Sequence, residues 1–92
     1  MKIGAHNIIV EEVPKAALDD DCVAVFNRTT NTISILDELA PTQKLVALLH
    51  EIFHCINNEL GEETIEGLAQ GVAQVVVDNP DFLAEYLRNL KG

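Results

Sequence analysis

The stretch Lys44-Leu45-Val46-Ala47-Leu48-Leu49-His50-Glu51-Ile52-Phe53-His54 decides how this chain folds. It is an apolar run at helical spacing that closes on the pattern H-E-x-x-H. On a helix turning about 100° per residue, His54 falls about 40° from His50 and Glu51 about 100° away, on the flank of the same face. Two imidazoles pointing into one space suit a zinc ion, and the carboxylate beside them suits a general base. Two histidines in so apolar a helix would be costly to bury without a ligand role.

The helix is predicted over residues 41–60. Pro41 fits its first position and Gly61 its end. Leu45, Val46, Leu48, Leu49, Ile52, Phe53 and Ile56 cover more than one side of it, as expected of a central helix with a sheet on one side and other helices elsewhere. Glu62 and Glu63 suit the positive end of a second helix running to about Val77. Asp78-Asn79-Pro80 breaks that helix, and Asn79 as N-cap with Pro80 after it starts a third through Phe82, Leu83, Tyr86, Leu87 and Leu90.

Before the central helix the pattern is β-type. Lys2 to Val13 reads as an extended segment centred on Ile8-Ile9-Val10 and closed by Pro14, and 14–21 as a loop or short helical turn. Cys22–Phe26 and Thr32–Leu36 flank the turn-rich Asn27-Arg28-Thr29-Thr30-Asn31, which makes a β-hairpin. Ile33 and Ile35 then share one face, with Thr32, Ser34 and Leu36 on the other. The expected fold is α+β: one domain over residues 1–92, with a small antiparallel sheet whose hairpin packs on the H-E-x-x-H helix, followed by two further helices.

Composition narrows the function. Of 92 residues 48% are hydrophobic, enough for a core, and with one Tyr, three Phe and no Trp that core must be aliphatic. Fifteen acidic against six basic side chains give a net charge of −9, which repels phosphate backbones and argues against nucleic-acid binding. Cys22 and Cys55 form no C-x-x-C pair and read as buried free thiols. Nothing after Met1-Lys2 resembles a signal peptide, and no apolar run approaches the roughly 20 residues of a membrane span. The expectation is a cytoplasmic protein.

A catalytic zinc normally takes three protein ligands and a water. Glu59, about 180° from His50, is on the wrong side of the helix. If the chain reverses at Leu60-Gly61, His54 and Glu66 both lie about 8–9 Å from the turn. Packed helix axes are about 8–10 Å apart, so Glu66 can share a metal with His54. The same reasoning sets Gln70 opposite His50, where its amide oxygen could fix the ring's tautomer. Glu62 and Glu63 are rival ligands nearer the turn. Gly67 and Gly71 flank this face and suggest a close approach of the two helices.

On His50, Glu51 and His54, with Glu66 to follow, the chain resembles the zincin metallopeptidases of the gluzincin style. More narrowly, the run 44–54 followed by Glu66-Gly67-Leu68-Ala69-Gln70 resembles the ImmA/IrrE group, especially its small phage- and prophage-encoded members. A Glu-x-x-Ala-Asn-type stretch supplies the third ligand in that group, and Gln70 stands here in place of the Asn. The likeness covers roughly residues 22 to 90. Two features depart from it: only 11 residues separate His54 from Glu66, and the helix-turn-helix-like region that often accompanies the group is absent.

The resemblance implies a zinc peptidase of bacterial or phage-infected cytoplasm that acts on a peptide or protein. His50, His54 and Glu66 would hold Zn2+, and Glu51 would take a proton from water and pass it to the leaving amine. It also implies that Thr32–Leu36 is an edge strand along which an extended peptide pairs. For an oxyanion helper the chain offers Tyr86 and His6, which read more simply as a packing residue and a surface residue. The alternative function is a zinc-holding partner protein that cleaves nothing, and a third reading is a structural domain with a coincidental motif.

Overall fold

The structure is a computed structural model and describes residues 1–91. Five strands precede three helices: β1 (Lys2–Ile3), β2 (His6–Asn7), β3 (Ile9–Val13), β4 (Ala24–Asn27), β5 (Thr32–Leu36), α1 (Pro41–Ile56), α2 (Glu62–Asp78) and α3 (Pro80–Lys91). A short 3-10 turn at Lys15–Ala17 follows Pro14. The expected α+β layout is present, with the hairpin on the central helix and two helices after it.

The hairpin β4–β5 is antiparallel, with Ala24 opposite Ile35 and Asn27 opposite Thr32. Local turn chemistry explains it. The Asn27 Oδ1 accepts hydrogen bonds from the Thr29 and Thr30 amides at 2.9 and 3.3 Å, and Asn31 takes a left-handed φ of 50°, a conformation Asn tolerates well. The N-terminal segment splits. β1 and β2 pair around Gly4, whose φ of 59° suits a residue without Cβ, and β3 pairs with β5. That last pairing is parallel, so the larger sheet is mixed, in the order β3-β5-β4. β5 is therefore the central strand, bonded on both sides. This corrects the expectation that Thr32–Leu36 is an edge.

The core lies where β5 meets α1. Ile33 is fully buried, Ile35 nearly so, and both pack with Ile8 and Ala47. Phe26, Leu48 and Ile52 close the rim. A side chain of this size contributes about 1.5–3 kcal/mol on full burial. On the far side of α1, Ile65, Ala69 and Ala73 form a buried stripe at four-residue spacing along α2. The two alanines allow α2 to lie close to α1.

Helix ends differ from the expected ones in ways that matter below. Pro41 opens α1 as expected, and the Gln43 side chain reaches back to accept from the Ala40 amide at 3.0 Å. But α1 stops at Ile56, not near residue 60. Asn57 bonds the Glu59 amide through its Oδ1, at 3.0 Å, a local alternative to continuing the helix. Gly61 is then the N-cap of α2, with φ −70° and ψ 156°, rather than a left-handed stop to α1. Asn79 is the N-cap of α3 as expected, its carbonyl accepting from the Leu83 amide at 3.1 Å, while its Nδ2 donates back to the Val75 carbonyl of α2 at 3.0 Å.

Candidate metal centre

His50 and His54 project from one face of α1, both half-buried, their ring centroids 4.8 Å apart. Across from them is the first turn of α2. The Nε2 of His50 lies 3.2 Å from one carboxylate oxygen of Glu62, and the Nε2 of His54 lies 2.8 Å from the other. The three side chains form a group whose ligand atoms all lie within 4.8 Å of one another. Glu66 is elsewhere on the same ring: its Oε2 is 3.0 Å from the Nδ1 of His50. Gln70 backs Glu66, donating from Nε2 to Oε1 at 2.8 Å, and is not bonded to His50.

The expected ligand Glu66 and the expected ring partner Gln70 have thus each moved one turn along. The cause is the early stop of α1. With the reversal beginning at Ile56 instead of Leu60, every level on α2 shifts by about four residues relative to α1, one helical turn. Glu62 comes level with His54, and Glu66 with His50. Glu63, the other rival, is outside the group.

These residues fit a divalent cation. A neutral imidazole carries one N–H, so His50 can donate to Glu66 or to Glu62 but not to both. If Nδ1–H goes to Glu66, the Nε2 lone pair faces the Glu62 carboxylate with nothing between them. A cation there satisfies both, and the contact from Glu66 is the carboxylate–histidine arrangement that orients metal-binding rings. Imidazole nitrogens and carboxylate oxygen are also a donor set suited to zinc, whose bonds of about 2.0–2.2 Å place tetrahedral ligands roughly 3.3 Å apart, close to the 3.2 and 2.8 Å between the two rings and the Glu62 oxygens.

Charge follows the geometry. Glu51 is half-buried, and that burial raises its carboxyl above the usual carboxylate range; the two histidines oppose the rise and Glu62 adds to it. Glu66 is held below the ordinary value, first by the Gln70 hydrogen bond; burial opposes this, and the His50 hydrogen bond and charge lower it further. Burial pushes the Cys55 thiol up, the nearby Glu51 charge pushes the same way, and Arg28 opposes both. A thiol so placed is a poor nucleophile.

The centre opens into a groove of about 860 Å³. Its lining includes His50, Glu51, His54, Glu62, Glu66 and Gln70 from the helices and the segment from Asp21 to Phe26, with Arg28, from the hairpin. That segment contains the edge strand β4, which bonds only to β5. The Leu36 amide bonds the Val23 carbonyl at 2.9 Å, so by antiparallel alternation Val25 also turns its backbone to β5 and Ala24 and Phe26 turn theirs outward. The Cys22 thiol takes the outward Ala24 carbonyl at 2.9 Å. The Phe26 backbone groups have no strand beside them. Tyr86 is on α3 and is 62% exposed, and His6 lines a separate, smaller cavity with Cys55; neither lines the groove.

Comparison with protein-family models, with curated proteins and with solved structures finds no match. Sequence reasoning missed the role of β4 because strand order within a sheet is a long-range property, and ranked Glu62 behind Glu66 because its height depends on where α1 stops. No helix among the described residues is long and apolar enough to cross a membrane.

Proposed function

We propose that this protein is a zinc-dependent peptidase of the minimal zincin type, with His50, His54 and Glu62 holding the metal and Glu51 as general base. The observation that carries the reading is the convergence of both Nε2 atoms on one carboxylate, in a groove that an edge strand also lines. When bound, zinc supplies Lewis acidity, which makes a water acidic near neutral pH and polarises a carbonyl. The chain's own residues do the rest. An extended peptide lies in the groove and pairs with the outward backbone of β4 at Phe26. Glu51, flanking the histidines, accepts a proton from the attacking water and gives it to the departing amine. A carboxyl raised by burial suits both halves of that exchange, since it holds a proton more readily than an exposed one. Glu66, held by Gln70, fixes the His50 ring.

Arg28 is the one lysine or arginine lining the groove, and its guanidinium can meet a carbonyl or carboxylate of the bound chain. Both cysteines are free thiols, in keeping with a reducing compartment such as the cytoplasm. A second reading, a zinc-holding protein that binds a peptide without cutting it, draws on the placement of Tyr86 and His6 away from the groove.

Glu51→Gln separates the two. The substitution keeps the size and removes the base, so zinc affinity should hold while hydrolysis of a mixed peptide library falls on the order of 10²–10⁴-fold. Zinc-loaded wild type that cleaves no member of the library, or a Glu51→Gln variant as active as wild type, would remove the peptidase reading.

A further inference from the structure

The C-terminal part of the molecule exposes far more apolar surface than its size requires. The accessible area of the whole chain is 6652 Å², whereas a compact monomer of 10.1 kDa has about 5,300 Å², an excess of about 1,400 Å². The radius of gyration agrees, at 14.1 Å against about 12.3 Å for 92 compact residues.

Most of the large exposed hydrophobic side chains lie on α3 and the half of α2 that leads into it. Phe82, Tyr86 and Leu87 are each 62% exposed and Leu90 is 82% exposed, along one stripe of α3; only Leu83 on that stripe is half-buried. On α2, Leu68, Val72 and Val75 recur at helical spacing and are exposed too. A helix of 12 residues is marginal by itself in water. An apolar stripe that covers nothing adds no tertiary stability to it.

We propose that a second copy of this chain covers the stripe, forming a two-fold dimer through α3 and the adjoining part of α2. Three observations favour a copy over a different partner. First, a standard interface removes about 800 Å² from each partner, and the excess area exceeds that amount. Second, each chain carries a net charge of −9, so two copies approach best through surfaces of low net charge; the α2 run from residue 67 to 77 contains no ionisable side chain, and on α3 Asp81 and Glu85 are balanced by Arg88 and Lys91. Third, homodimer interfaces are more apolar at their centre than those of transient complexes, which matches an aliphatic and aromatic stripe better than a polar docking site. Pairing about a two-fold axis sets each α3 against the same surface on its partner and leaves no further face open. The metal centre is on the other side of α2, among Glu62, Glu66 and Gln70, so this surface is separate from it.

The test is the molar mass of the whole protein in solution at micromolar concentration, by light scattering after gel filtration. Wild type should have twice the mass of one chain. Leu87→Glu and Leu90→Glu change side chains exposed in the monomer, so each should leave the far-ultraviolet dichroism of the core intact while raising the dimer dissociation constant roughly 30-fold or more. Arg88→Glu, off the stripe, should remain a dimer. A wild-type monomer overturns the proposal, and if that monomer floats with phosphatidylcholine vesicles the face belongs to a lipid surface instead. A dimer unchanged by the double substitution at Leu87 and Leu90 overturns it as well.

Discussion

Glu62 and Glu66 stand one helical turn apart and touch different nitrogens of the His50 ring, and in the proposed metal centre that gives them different work. A direct ligand and a residue that orients a ligand lose different amounts of metal affinity when neutralised. Removing a carboxylate that steadies a ligating histidine costs about 10–100-fold in affinity. Glu66→Gln should therefore weaken zinc binding by that amount, and Glu62→Gln by more than about 100-fold, in competition titrations against a chromogenic chelator. Equal losses, or the reverse order, would return the third ligand to Glu66. At this scale His50, Glu51 and His54 were legible in the sequence, because an i, i+4 pair and its neighbour share a helical face whatever the rest of the chain does. The partner carboxylate was not. Three glutamates fall within five residues, and choosing among them needs the height of α2 to within a turn.

That height is set by elements, and specifically by the Asn57-Asn58 pair. Helical periodicity continues past Ile56 in composition, but asparagine side chains compete for the backbone bonds the helix needs, and α1 ends four residues early. The hairpin was legible for the same kind of reason in reverse: its turn residues act locally, through Asn27 and Asn31. The parallel placement of β3 against β5 was not, since it joins residues more than twenty apart and no local signal encodes it. Gly67 and Gly71 were expected to permit close helix contact, yet a Cβ at either would meet nothing within 4 Å. Ala69 and Ala73 perform that role. Both glycines lie in the interior of α2, so Gly67→Ala and Gly71→Ala should each stabilise the fold by about 0.5–1 kcal/mol, read as a rise in urea midpoint at unchanged slope. A loss of stability would mean that the faces they occupy are covered.

For the molecule as a whole, the proposed metal centre implies that zinc and folding are coupled. Glu51, Glu62 and Glu66 gather around two histidines in a chain already at −9, an arrangement that a divalent cation relieves. Zinc that binds the native state at about 100 times its dissociation constant adds roughly 2.7 kcal/mol. For a domain of this size that raises the melting midpoint by about 10–20 °C, and chelation should reverse the rise. A midpoint indifferent to zinc would speak for the structural reading of the motif. The most direct test of the central claim is the native mass spectrum of the intact protein after zinc loading and desalting. One zinc per chain is expected in wild type and in Glu51→Gln, and none retained in His50→Ala, His54→Ala or Glu62→Gln. Wild type that keeps no zinc, or a Glu62→Gln variant that keeps it as firmly as wild type, would contradict it.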